Sequence, residues 1–185
     1  DDALFNDSPL SSSWQDDSVE VYIDGNNSKG ATADANDFQY RFRWNTQGET
    51  PTEYFHSPRS LEGVEYSVAT TDNGYLFEIR LPWSSLLGRP PQSAQLIGID
   101  VFINDDDDGG NTRECQLAWH ATASSGWNTP SMWGTAYLVP GKKASNPSPA
   151  DGALNTTKWA GLSWTAGISA ASHNVYIGDN FDDVN

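Results

Sequence analysis

Most of what would mark a catalyst is scarce in this 185-residue chain. There is one cysteine, Cys115, one methionine, Met132, and three histidines, His56, His120 and His173. A single cysteine cannot close an internal disulfide, and it does not settle the compartment. Cys115 alternates with Leu117 and Trp119, which predicts a buried thiol. The histidines stand in unrelated contexts, with no HxxxH or HExxH pairing, and no GxSxG is present. Carboxylates abound, but glycosidase pairs need a defined separation that spacing does not provide. The expectation is a protein without catalytic chemistry of its own. Basic residues are also few, 10 against 25 acidic ones, for a net charge of −15. That field repels nucleic acid and anionic lipid and attracts divalent cations. No apolar run approaches the ~20 residues that span a bilayer. No secretory signal is visible either, but the chain reads as starting inside a domain, so this carries no weight. Helical periodicity never lasts beyond a turn or two, with Ser84 to Leu87 as one short candidate.

What the chain does have is alternation. Val19, Val21 and Ile23 fall on one face of a strand, with Glu20 and Tyr22 on the other. Phe38, Tyr40, Phe42 and Trp44 share a face opposite Gln39, Arg41 and Arg43. Tyr75, Phe77, Ile79 and Leu81 form a third inward set. Ile97, Ile99, Val101 and Ile103 form a fourth, opposed by Asp100 and Phe102. Weaker strands cover Glu62 to Thr70 and Glu114 to Trp119. Asp72-Asn73-Gly74 is a hairpin signal, and Pro82 ends its strand because it has no N–H to donate. Amphipathic strands at this spacing predict an all-β, antiparallel sandwich of jelly-roll type.

Two tryptophans stand in polar motifs far apart in the chain: Trp14 in WQDDSVE and Trp127 in GWNTPS. Indoles stack on the C–H faces of a pyranose, and charged side chains hydrogen-bond its hydroxyls. The blander reading makes both rings core or edge plugs. Strand parity places Glu20 and Arg41 on the outer face, where they can project toward the slot of Trp14. Their blander reading is a cross-strand salt bridge.

Five stretches in order carry a resemblance: WQDDSVEVYIDGNN (14–27), DANDFQYRFRWN (34–45), GYLFEIRLPWSSL (74–86), IGIDVFINDDDDGGNTRECQLAW (97–119) and GWNTPSMWGTAYL (126–138). Together they resemble a family 9 carbohydrate-binding module, the non-catalytic glycan-binding unit often joined to secreted xylanases. The resemblance covers residues 1–139. It implies a β-sandwich that here lacks its first strands, which would leave an unpaired edge and an exposed apolar face. It implies binding roles for Trp14, Glu20, Arg41, Arg113 and Trp127, and xylan- or cellulose-type chain ends as ligand. It also implies an extracellular accessory module of a glycoside hydrolase. The chain departs from the family at Phe102, where an amide can stand, and near Ser124. Phe102 is expected as a third stacking surface or a plug. Arg113 faces the ligand only if it precedes its strand or a bulge intervenes.

The resemblance further implies structural calcium, a hard cation that takes carboxylate and carbonyl oxygens in loops. Asp24, Asn26, Asp34 and Asp37 surround one candidate loop. Asp2 with Asp17 is a second candidate, and Asp105 to Asp108 before Gly109-Gly110 is a third. None has the spacing of an EF-hand. The alternative is acidic turns bonded to their own backbone.

After Val139 the texture changes. Residues 140–150 hold three prolines and read as a stiff linker. Residues 151–185, with the motifs ADGA (from Ala150), LSW and VYIG, resemble the incomplete start of a fibronectin type III or Ig-like module. Covalently linked neighbouring domains are therefore expected. Two rival classes stay open. One is a haem-binding electron-transfer sandwich of DOMON type, with Met132 and His120 as ligands. The other is a structural adhesion module.

Overall fold

The computed structural model describes residues 4–44, 52–53, 61–72, 74–87, 94–110, 112–138, 144–150, 161–167 and 172. The chain divides into two compact units, 1–138 and 139–185. In the first unit the strands are β1 (Ser18–Asp24), β2 (Asp37–Arg43), β3 (Thr52–Glu53), β4 (Glu65–Thr71), β5 (Gly74–Arg80), β6 (Leu96–Asp105), β7 (Cys115–Ala118) and β8 (Gly134–Tyr137). The main sheet runs β3-β2-β1-β6-β7, with β8 pairing the other end of β6. All its pairings are antiparallel. A helical turn, α1 (Trp83–Leu86), follows β5 where the short candidate was expected.

Alternation explains the layering. Val19, Val21, Ile23, Phe38, Tyr40, Phe42 and Ile97 face one side of the sheet and form the main core with Leu86. The β4–β5 hairpin covers this side, bringing Tyr66, Phe77 and Ile79 onto the core. The predicted Asp-Asn-Gly hairpin is present: Thr71 pairs with Gly74, whose φ of 139° is open to glycine. β1 and β2 are buried on both faces, because the opposite side carries a second cluster, Tyr22, Phe102 and Trp133. The fold is thus the expected all-β antiparallel sandwich.

One expectation is overturned. Cys115 is exposed rather than buried. The alternation that places it with Leu117 and Trp119 is real, but that stretch of the sheet's apolar face is open. Leu117 is 63% and Trp119 68% exposed, beside Ile103 at 40%. Period-2 patterning tells which residues share a face, not whether a second layer covers it.

In the second unit, β9 (Ser145–Ser148) pairs with β10 (Ser163–Thr165). The strand expected at Leu162-Ser163-Trp164 is therefore present, and part of the expected linker is itself a strand. The other expected strand, 174–178, lies outside the described residues.

Candidate binding site

The second face of the main sheet builds the site by register. Glu20 of β1 lies opposite Arg41 of β2 and Phe102 of β6. Two pairs further along, on the same face, Ser18 lies opposite Asn104, which lies opposite Gln116 of β7. Above these residues opens a cleft of about 620 Å³ lined by Trp14, Glu20, Gln39, Arg41, Arg113, Gln116, Ser124, Ser125 and Trp127. Five of the six residues expected at the ligand meet there.

Trp14 arrives on a 3₁₀ turn, Leu10–Gln15, in a segment that folds back across the sheet. Two adjacent aspartates fasten that segment. The Asp16 carboxylate accepts from Ser8 N (3.1 Å) and pairs with Arg43 (2.7 Å). Asp17 accepts from Phe5 N at 2.5 Å. Trp127 arrives on another 3₁₀ turn, Ser124–Asn128. Gly126 presses this turn onto Phe102: a Cβ there would meet Ala121 Cβ at 2.6 Å and Phe102 Cζ at 3.1 Å. The Gly126 carbonyl accepts the indole N–H of Trp133 at 2.7 Å. Lys29 supports the neighbouring stretch, donating to the carbonyls of Trp133 (2.6 Å) and Gly134 (2.7 Å). Burial lowers the pKa of Lys29, against the pull of the Asp24 and Asp100 charges. Both site indoles stay in solvent, Trp14 at 37% and Trp127 at 41% exposure.

The floor is polar and buried. Glu20 is 2% and Arg41 5% exposed. Glu20 accepts hydrogen bonds from Tyr22, Gln39 and Asn104. Burial, then the Glu20 charge, raises the pKa of Tyr22 far above the ordinary phenol value, so its hydroxyl remains a donor. Arg113 precedes β7, which frees it from the strand's parity. Its guanidinium lies 4.9 Å from the Trp14 ring centroid and donates to the Trp14 carbonyl at 3.0 Å. Burial lowers the Arg113 pKa and the Glu20 charge opposes this.

Of the two roles expected for Phe102, the geometry fits the plug. It is 1% exposed, 4.6 Å from Tyr22 between ring centroids, and lies beneath the Trp127 turn rather than in the cleft wall. Its face was legible and its depth was not. It supports the site as a plug and offers no stacking surface. Gln39, Gln116 and Ser125 were missed, although Gln39 shares the Arg41 parity and could have been found that way.

Of the candidate metal residues, Asp24 and Asp37 lie opposite each other in β1 and β2, with Asp34 bonded to Asp37. Asp2 lies outside the described residues. Asp24 is buried, and its carboxylate accepts from Ser28 N (3.0 Å) and Lys29 N (2.9 Å). Asn26 accepts from Ser28 N, Asp34 from Asn36 N, and Asp37 from Asp34 N. These residues are knitting turns. Among the described residues, carboxylates gather around the third candidate loop, as Asp7–Asp16–Asp106 and Asp106–Asp108–Glu114, with ligand atoms within 4.8 Å of one another. Asp17 adjoins them, accepting from Asp106 N at 3.5 Å. Asp106 is wholly buried; its Oδ1 accepts from Asp108 N and Gly109 N, and its Oδ2 has no partner among the described residues. Burial, with the Asp105 and Asp106 charges adding, lifts Asp17 to about 6 against the lowering effect of its amide bonds. Burial also raises Asp105 and Asp106.

The haem reading would need Met132 and His120 to face each other across an apolar pocket. His120 is exposed, and its Nδ1 donates to the backbone carbonyl of Met132 at 2.9 Å.

Two exposed indoles over a buried Glu–Arg floor, on a β-sandwich, define a non-catalytic carbohydrate-binding domain. The chain belongs to the carbohydrate family 9 binding domain-like family, whose profile matches residues 1–140. It is 28% identical over 126 residues to endo-1,4-beta-xylanase A of Thermoanaerobacterium saccharolyticum, and 29% identical over 126 residues to exoglucanase XynX of Acetivibrio thermocellus. Each match covers 68% of this chain but only 10% and 11% of those proteins. Two solved structures share its fold at 21% identity. Both are family 9 carbohydrate-binding modules from Caldicellulosiruptor kristjanssonii, one in complex with glucose and one with cellotriose. The glucose complex has a TM-score of 0.60, covering 73% of this chain and 64% of that one. The cellotriose complex has a TM-score of 0.62, covering 84% and 70%.

Proposed function

We propose that the cleft grips the terminal ring of a xylan- or cellulose-type chain between Trp14 and Trp127. Glu20, Arg41 and Arg113 bond its hydroxyls. One observation carries this reading: two indoles distant in sequence remain exposed in one cleft whose floor is a buried charged pair. Leaving an indole in water forgoes a large apolar burial, which a stacked sugar ring recovers. The domain serves as the accessory module of a secreted, multidomain glycoside hydrolase, with residues 151–185 opening an Ig-like neighbour. The names of the similar proteins support that setting.

Calcium is the proposed structural cofactor. Its donors are Asp7, Asp16 and Asp106, with Asp17 adjacent, rather than the Asp24–Asp37 turn. The unpartnered Oδ2 of buried Asp106 supports this choice, because hard oxygen donors at such a spacing suit calcium. Bound there, the ion would neutralise carboxylates that fasten the Trp14 segment.

A slot that closes round one ring accommodates an end better than an interior residue bonded on both sides. Borohydride reduction opens the reducing-end ring. Reduction of a soluble oligosaccharide should therefore weaken binding at least tenfold, about 1.4 kcal/mol by calorimetry. Equal affinities would mean a groove that reads chain interiors or non-reducing ends.

A further inference from the structure

The Glu20 carboxylate meets the cleft with most of its hydrogen-bonding capacity already used. Its Oε2 accepts from Tyr22 (2.8 Å) and Gln39, and its Oε1 accepts from Asn104 Nδ2 at 2.8 Å. A carboxylate oxygen has about two in-plane acceptor positions. Oε2 is full, and Oε1 keeps one.

Asn104 is wholly buried and does not line the cleft. Its Nδ2 also reaches Ser18 Oγ at 2.9 Å, and its Oδ1 accepts from Gln116 Nε2 at 2.9 Å. The polarity of this chain follows from one fact: an ionised carboxylate only accepts. Glu20 therefore requires the NH₂ of Asn104 on its side, which turns Oδ1 toward Gln116. That in turn requires the NH₂ of Gln116 to point inward. Gln116, half-buried in the cleft wall, is left with its carbonyl oxygen and one N–H for a ligand.

We propose that Asn104 is a positioning residue of the sugar site, setting the one free acceptor of Glu20 and the amide orientation of Gln116 without touching the ligand. This rests on the carbohydrate-binding reading and makes it more specific. Glu20 accepts one hydroxyl, through Oε1. The rest of the hydroxyl recognition falls to Arg41, Arg113 and Gln116.

The experiment uses the full chain and the near-isosteric variant Asn104→Asp, alone and combined with Glu20→Gln. The single variant sets two buried carboxylates against each other, which disfavours ionising both. Affinity for a soluble β-1,4-linked oligosaccharide at pH 7 should fall at least tenfold, and the thermal midpoint should drop. Adding Glu20→Gln restores one carboxylate facing one amide with the roles exchanged. The midpoint should therefore recover, while affinity stays low because the acceptor at position 20 is lost. A residue that merely fills space would show no such rescue. Asn104→Asp binding like the wild type, or a double variant melting no higher than the single, overturns the proposal. If the single variant does not fold, the double variant alone decides: folding supports the pairing and failure to fold contradicts it. If the wild type binds no oligosaccharide, the carbohydrate reading fails, and the melting comparison still tests the Asn104–Glu20 pairing.

Discussion

At the scale of single residues, the proposed site separates stacking surfaces, hydroxyl partners and braces. Arg113 is a brace, since its guanidinium lies over Trp14 and bonds that residue's carbonyl, and the proposal also gives it a ligand hydroxyl. A planar fork can do both, whereas an ammonium is a compact point charge. Arg113→Lys should therefore weaken oligosaccharide binding by about 1 kcal/mol despite keeping the charge. Calorimetry checks this, and wild-type affinity would leave Arg113 as a bystander. Much of this scale was legible in advance. Alternation in β1 and β2 placed Glu20 and Arg41 outward, and the polar contexts of Trp14 and Trp127 marked them. Cys115 was misread, and the choice between two roles for Phe102 was left open, for one shared reason. Parity assigns a face, but depth depends on what covers that face, and the covering elements are distant in sequence.

At the scale of elements, strands carry the floor and 3₁₀ turns carry the walls. The strands and the Asp72–Gly74 hairpin could be read because period 2 repeats over several residues. The turns at Leu10–Gln15 and Ser124–Asn128 could not, since six and five residues hold too few repeats for a period. Nor does any local pattern announce Lys29, whose partners lie 104 and 105 residues away. The Trp127 turn yields a test of its own. A methyl group on Gly126 has no room against Ala121 and Phe102. Gly126→Ala should destabilise the fold by roughly 1–3 kcal/mol in denaturant unfolding and weaken sugar binding as the Trp127 turn shifts. Unchanged stability and affinity together would show that the turn yields freely.

At the scale of the whole molecule, acidity dominates, with a net charge of −15. The excess was legible in composition, and the run Asp105 to Asp108 marked one place where it concentrates; that Asp7 and Asp16 join Asp106 there was not, because they meet only in the fold. If calcium binds there, thermal melts should shift downward in excess chelator and recover on calcium addition. Identical melts would reject the metal. The pH dependence has a definite sign. Without metal, Asp17 is raised to about 6 in the folded state, above the ~3.9 of an unfolded chain. Between those values the folded protein holds more protons, so this group's contribution to stability falls as pH rises through that window. A cation takes the proton's place, so calcium should raise the midpoint more at pH 7 than at pH 5; an equal rise at both would contradict this. The most direct test of the whole account is titration calorimetry of a soluble β-1,4-linked oligosaccharide into the wild type, Trp14→Ala and Trp127→Ala. Each substitution should cost about 1.5–3 kcal/mol of affinity with the fold retained; affinity unchanged in both would contradict the slot.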